Sequence, residues 1–196
     1  MFKRSKGYFL LTMLVLTGFA GQVHTDTLTT KERRHLFTEL KSSRAELIKS
    51  IEGLTDDQLN FTAGGKQPSV RDCIDNLVTT EKKLWMIAKA ALKSESDAEE
   101  RLPDDQSLPS LAYQRGVHSF PRLKFKNVKE ALKLHKNDRQ EMQKYVNTTT
   151  ANVRAHVAKT EFGTLDVYQV MLLNSMLCRQ YTQKISQLKT SPDFPK

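Results

Sequence analysis

The sequence has few of the residues and motifs that mark several large enzyme classes. Its two cysteines, Cys73 and Cys178, do not form a Cys-x-x-Cys motif, which argues against a redox enzyme. Gly64 and Gly65 lack the preceding strand and the following Lys-Ser or Lys-Thr pair of a phosphate-binding loop. No segment reads as a β-strand, and no local signature of Ser-His-Asp or Cys-His catalysis is present. These absences favour an all-helical protein outside the redox, nucleotide-binding and catalytic-triad classes.

The sequence also lacks a hydrophobic run long enough to span a bilayer. The apolar run at residues 8–16 follows three basic residues among the first six and precedes small residues at Gly18 and Ala20. Because about 20 apolar residues are needed to cross a membrane, this pattern is typical of a cleaved secretory signal peptide. We therefore predict a signal peptide over residues 1–20 and an exported protein that is periplasmic or extracellular after cleavage.

Positive charge exceeds negative charge, and the formal net charge is +9. Export argues against nucleic acid as a partner. The expected partner is an unknown small ligand or an envelope protein, and a homodimer is also left open. Basic residues concentrate between positions 122 and 136, where a solvated helix face is favoured over a weak contact with an anionic membrane surface. The residues concerned are Arg122, Lys124, Lys126, Lys129, Lys133 and Lys136.

Four amphipathic segments follow a short linker at residues 21–28 and make up one domain over residues 29–196. Apolar residues recur at helical spacing in each segment, and cap residues such as Thr29, Ser69 and Asn127 precede the first three. Helices that each bury one face form a four-helix bundle, so the predicted fold class is all-α. The predicted helices cover residues 29–53, 69–92, 127–146 and 162–188.

The connection between the second and third helices is unusually long. Residues 94–126 show no clear periodicity, whereas connections in helical bundles usually take about 2 to 8 residues. Returning along a helix of about 30 Å needs roughly 10 extended residues, which this segment supplies. We therefore predict a crossover that makes the second and third helices parallel.

Several polar residues lie on the inner stripes of these helices. Arg44 is on the first helix and Glu81 on the second, while His135 and Arg139 are on the third. Glu81 is interpreted as the partner of an interior Arg or Lys, because a buried carboxylate requires one. His135 is interpreted as a hydrogen-bonded core residue rather than a metal ligand, because a lone interior His has that role more often.

Five stretches of the sequence, in this order and at this spacing, resemble the DinB/YfiT-like superfamily, whose members are described as metalloenzymes. The resemblance covers roughly residues 30–196 and implies a four-helix bundle of up-down-down-up topology with a long crossover. The stretches are LKSSRAELIKSIEGLTDDQLNF (40–61), SVRDCIDNLVTTE (69–81), NVRAHV (152–157), EFGTLDVYQVMLL (161–173) and QKISQLKTSPDFP (183–195).

The resemblance also implies a metal site of three histidines, one on the second helix and two on the fourth. Carried onto this sequence, these positions fall on Asn76, Leu177 and Tyr181, and none of them is histidine. A shift of one residue offers Cys178 and Thr182 on the fourth helix, which still supplies no imidazole. Leucine cannot ligate a metal, and amide and phenol groups are poor ligands for transition metals. We therefore expect the three-histidine site to be lost.

The favoured function is accordingly non-catalytic binding of a small ligand, or an interaction role in the cell envelope, with no cofactor. The three former metal positions would line a small pocket, together with Asn174, His135 and Arg44 as further lining residues. Such a pocket needs only a few convergent polar groups to orient a ligand.

The alternative is a divergent enzyme, so catalysis stays open. It would be a metal-dependent hydrolase or thiol S-transferase that uses a rearranged site around Asn76, Cys178, Tyr181 and His135, with a divalent metal such as zinc or nickel. A disulfide between Cys73 and Cys178 is also left open, because export permits it.

Overall fold

The computed structural model describes residues 27–65, 67–94, 104–115 and 122–196. The predicted signal peptide and most of the predicted linker lie outside these residues. Six α-helices, one 3₁₀ turn at Asp105–Ser107 and one β-hairpin are present in the described part of the chain. The helices are α1 (Thr30–Ile51), α2 (Asp56–Asn60), α3 (Val70–Ala91), α4 (Leu108–Arg115), α5 (Val128–Thr148) and α6 (Val167–Lys189), and the strands are β1 (Val157–Thr160) and β2 (Gly163–Asp166).

The four long helices α1, α3, α5 and α6 form the predicted bundle, and three of them begin where the sequence predicts. Thr29 and Ser69 each accept a hydrogen bond from the backbone three residues on and complete a capping box. Asn127 caps α5 in the same way through the amide of Glu130. A cap of this kind stabilises a helix by about 1 kcal/mol, because it satisfies an amide that has no partner within the helix.

Contacts between helices establish the up-down-down-up topology, and α6 runs parallel to α1 because its residues 178 and 189 bond to residues 43 and 50 in the same order. Residues 82 and 89 of α3 pair with residues 138 and 141 of α5 in the same order, so these helices run parallel. Residues 33 and 40 of α1 instead pair with residues 146 and 139 of α5 in the opposite order, so these two helices are antiparallel. The crossover between α3 and α5 and the all-α bundle are therefore confirmed.

The start of α6 differs from the prediction. Residues 157–166 form a hairpin, in which Thr160 faces Gly163 across a two-residue turn, and α6 begins only after its cap, Asp166. Gly163 has a φ of +113°, a conformation that favours glycine, and the Thr160 hydroxyl donates to the Gly163 carbonyl at 2.8 Å. The expectations of no strand and of a helix start at Phe162 are wrong, because two four-residue strands are too short for alternation to reveal.

Arg154 ties the hairpin region to the rest of the bundle. Its guanidinium bonds to Glu32 beside the start of α1, to Asp105 in the crossover and to Asp166, the α6 cap. The Arg154 Cζ atom also lies 3.8 Å from the centroid of the Tyr168 ring. This cluster fixes the start of α6, and α6 carries one residue of the candidate site.

Helix α6 is the central element of the core. Residues 167–175 are buried without interruption, which a helix shows when its whole circumference is covered. α6 contacts both α1 and α3 along its length. None of the helices in the described ranges is long and apolar enough to cross a membrane.

Candidate metal centre

Three side chains of different chemistry converge at the centre of the bundle. Glu81 comes from α3, His135 from α5 and Cys178 from α6, and one ligand atom of each lies within 4.8 Å of the others. His135 Nε2 lies 3.1 Å from Glu81 Oε2. All three residues are 1% exposed or less.

Helical spacing explains why these side chains face one another. Glu81 shares the buried stripe of α3 with Leu77 and Trp85, four residues away on either side. His135 lies on the buried stripe of α5 with Arg139. Each residue therefore lies on the buried face of its helix, where apolar residues are usual. Packing of the helices brings the three polar side chains together.

Arg139 holds the Glu81 carboxylate with two hydrogen bonds. Nη2 donates to Oε1 at 2.6 Å, and Nε donates to Oε2 at 3.0 Å. This contact confirms the prediction that Glu81 is the partner of an interior basic residue. The other Arg139 donors bond to α1 and α6, so one guanidinium joins all four long helices. Their acceptors are the Leu40 carbonyl at 3.2 Å, Ser43 Oγ at 3.2 Å, the Asn174 carbonyl at 3.0 Å and Ser175 Oγ at 3.4 Å.

The charges of the cluster set the protonation of Glu81. Burial is the largest single influence and by itself would raise the pKa of this carboxyl, because it disfavours the charged form. The Arg139 charge, together with His135, outweighs burial and lowers the Glu81 pKa to about 2. Glu81 is therefore an ionised ligand at neutral pH.

In the absence of a bound metal, the Cys178 thiol is neutral at physiological pH. Burial raises its pKa to about 12, and the nearby Arg139 charge offsets this only in part. The thiol donates a hydrogen bond to the Ser43 carbonyl at 3.3 Å. A metal ion would have to displace this proton, as metal binding to cysteine generally does.

The ring of His135 lacks the hydrogen bonds that a buried imidazole normally makes. Nε2 is within ion-pair distance of Glu81, but neither ring nitrogen makes a hydrogen bond of good geometry with a residue in the described ranges. The interpretation of His135 as a hydrogen-bonded core residue stays a prediction, with the Glu81 carboxylate as its nearest partner. Buried polar atoms in native proteins almost always have a partner, so this ring has unused ligand capacity.

The donor set fits a zinc-like ion. Sulfur, imidazole nitrogen and carboxylate oxygen are all zinc ligands, and three protein ligands leave a fourth position open. Tetrahedral zinc separates nitrogen and oxygen ligands by about 3.3 Å, close to the 3.1 Å between His135 and Glu81. The Arg139 charge opposes a cation, but a carboxylate has about four acceptor positions, of which Arg139 uses two.

The positions that the resemblance implies lie elsewhere on the same helices. Leu177 and Tyr181 are buried on α6, whereas Asn76 is half-buried on α3. Burial raises the pKa of the Tyr181 phenol, with Cys73 nearby as a smaller cause. No hydrogen bond joins Asn76 to Tyr181, although both belong to the described part of the chain.

Of the other predicted site residues, Asn174 contacts the candidate metal centre and Arg44 does not. Asn174 adjoins the centre through the carbonyl that accepts from Arg139, and its Nδ2 lies 3.8 Å from Met142 Sδ. Arg44 is half-buried on α1, and none of the contacts of the centre involves it. Cys73 and Cys178 are both free, buried thiols in this structure.

These features define a four-helix bundle with a candidate metal centre in its core. A sequence profile described as the DinB superfamily matches residues 39–176, and the chain therefore belongs to this superfamily.

The fold is also similar to that of YfiT from Bacillus subtilis, described as a probable metal-dependent hydrolase with an unusual four-helix bundle topology. The two chains are 14% identical, the match covers 83% of this chain and 89% of YfiT, and the TM-score is 0.60. At this identity the likeness establishes the fold. No curated protein matches the sequence at a significant level.

The prediction that the protein has no cofactor is wrong. Glu81, His135 and Cys178 form a buried group that could hold a metal ion, and the structurally similar YfiT is described as metal-dependent. The no-cofactor prediction rests on the loss of the three-histidine positions, whereas this group draws on three helices and includes α5. The alternative of a rearranged site names His135 and Cys178 but not Glu81.

Proposed function

We propose that the chain is a metal-dependent hydrolase of the DinB superfamily whose metal is held by Glu81, His135 and Cys178 in place of three histidines. The observation that supports the proposal is the convergence of their ligand atoms within 4.8 Å at the bundle centre. The description of YfiT as a probable metal-dependent hydrolase agrees with it.

The metal ion and the residues of the centre would have different roles in the reaction. A bound divalent ion supplies Lewis-acid activation of water or of a substrate carbonyl. Arg139 keeps Glu81 ionised and fixes its orientation, and the donors of Arg139 are already bonded to other groups. Arg139 is therefore a positioning residue and not a binder of substrate.

A structural metal site is the second candidate. Glu81 and His135 are each 1% exposed, so a substrate could reach the centre only through a local opening of the bundle. A metal in such a place would cross-link three helices and stabilise the fold. Turnover of ester or amide substrates that is abolished by chelation and restored by zinc would favour the hydrolase over this candidate.

Metal content tests the proposal. After reconstitution with zinc and removal of free metal, we expect one equivalent per chain in the wild type and substoichiometric metal in Cys178→Ser and His135→Gln, by elemental analysis. Cys73→Ser is the matched control, because Cys73 is also a buried thiol but is outside the ligand set. Substoichiometric metal in the wild type, or full metal in Cys178→Ser, would contradict the proposal.

We also propose that this chemistry takes place after export. The support is the pattern of basic, apolar and small residues at positions 1–20. Intact-mass analysis of the secreted or periplasmic protein should show a chain that begins after Ala20, and a full-length chain confined to the cytoplasm would contradict it.

A further inference from the structure

A groove runs along the outside of the seam between α3 and α5, toward the C-terminal ends of both helices. Its volume is about 610 Å³, within the range of about 300 to 1,000 Å³ that is typical of small-molecule sites. The residues of the candidate metal centre do not line it. The lining residues are Trp85, Met86, Lys89, Ala90, Leu92, Lys93, Glu141 and Tyr145.

The surface of the groove is mainly apolar. Met86 is 55% exposed, while Leu92 and Tyr145 are half-buried, so they can contact a ligand without unfolding. Trp85 forms the base of the groove, with its ring centroid 5.8 Å from that of Tyr145. An exposed methionine beside aromatic rings is an adaptable surface for an apolar ligand.

Two lysines line the groove, and one of them, Lys89, pairs with a carboxylate of the groove. Lys89 Nζ lies 3.0 and 3.3 Å from the two Glu141 carboxylate oxygens, and Trp85 Nε1 donates to the same carboxylate at 2.9 Å. Lys93, about one turn beyond Lys89, is exposed and has no ion-pair partner among the described residues. Among the described residues, the apolar surface therefore ends at one lysine that pairs with no carboxylate.

We propose that this groove binds a small amphipathic anion. Its apolar body lies along Met86 and Tyr145, and its anionic group pairs with Lys93. The inference concerns a surface separate from the candidate metal centre and does not depend on a bound metal.

The single tryptophan of the chain, Trp85, makes the groove directly observable. Titration of the full, chelator-treated protein with decanoate should give a saturable change in Trp85 fluorescence with a stoichiometry of one. Met86→Glu, a change at an exposed helical position, and Lys93→Glu should each weaken binding about tenfold or more, whereas Lys93→Arg should retain it. Decyltrimethylammonium, a cation with the same chain length, should bind about tenfold more weakly than decanoate.

Lys133→Glu is the matched control, because it makes the same change of charge on the exposed face of α5 but outside the groove. It should leave decanoate binding unchanged. An equal loss in Lys133→Glu would overturn the proposal in favour of general electrostatic attraction. Equal binding of the cationic amphiphile, or no saturable change in fluorescence, would overturn it as well.

Discussion

Arg139→Met is expected to lower the free energy of unfolding by about 3 to 5 kcal/mol, because it leaves the buried Glu81 carboxylate without its cationic partner. For a domain of this size the loss corresponds to a fall in melting temperature of roughly 6 to 20 °C. Urea and thermal denaturation of the metal-free protein would measure both quantities.

Two variants separate the effect of the buried pair from a general effect of removing an arginine. Arg122→Met removes an exposed pair, in which Arg122 Nη1 lies 2.7 Å from Asp72 Oδ1, and should cost less than about 1 kcal/mol. The double variant Glu81→Gln/Arg139→Met should recover part of the loss, because no buried charge then remains unpaired. A loss below about 1 kcal/mol in Arg139→Met would show that Glu81 does not depend on this partner.

The stability advantage of the wild type over Glu81→Gln is expected to shrink as pH falls. The Glu81 pKa is lowered in the folded protein to about 2, against an ordinary value of 4.5. A carboxyl group with a lowered pKa contributes stability above its unfolded pKa and loses that contribution as pH falls toward its folded pKa. The change between pH 4.5 and pH 2 is therefore about 3 kcal/mol.

This difference is best measured by urea denaturation of both proteins in the presence of chelator, at several pH values. Taking the difference removes the titration of other carboxyl groups, because both proteins share them. Glu81→Gln also leaves Arg139 without its ion pair, which adds an offset that does not vary in this pH range. A difference that is constant with pH would contradict the assigned protonation of Glu81.

Much of the architecture follows from local signals in the sequence. The caps at Thr29, Ser69 and Asn127 predict three helix starts, because a cap and its partner lie three residues apart in the chain. The length of the 94–126 connection predicts the parallel pair α3 and α5 from chain reach alone. The hairpin was not predictable in this way, because its two four-residue strands are too short to show an alternating pattern.

The candidate metal centre could be predicted only in part. Glu81 and Arg139 lie on the buried faces of α3 and α5. Because a buried charge requires a partner, their contact is predictable from the sequence. The group of Glu81, His135 and Cys178 has no motif spacing, because each residue comes from a different helix and they meet only in the folded bundle. Cys178 resembles an ordinary core residue in the sequence, since a buried thiol behaves as a small apolar side chain.

X-ray absorption at the zinc edge of the reconstituted protein tests the central claim most directly. A centre of Glu81, His135 and Cys178 predicts one sulfur ligand at about 2.3 Å, with the remaining ligands nitrogen or oxygen at about 2.0 to 2.2 Å. The sulfur contribution should disappear in Cys178→Ser and persist in Cys73→Ser. A bound ion with only nitrogen and oxygen ligands in the wild type, or no ion held by the folded protein, would contradict the account.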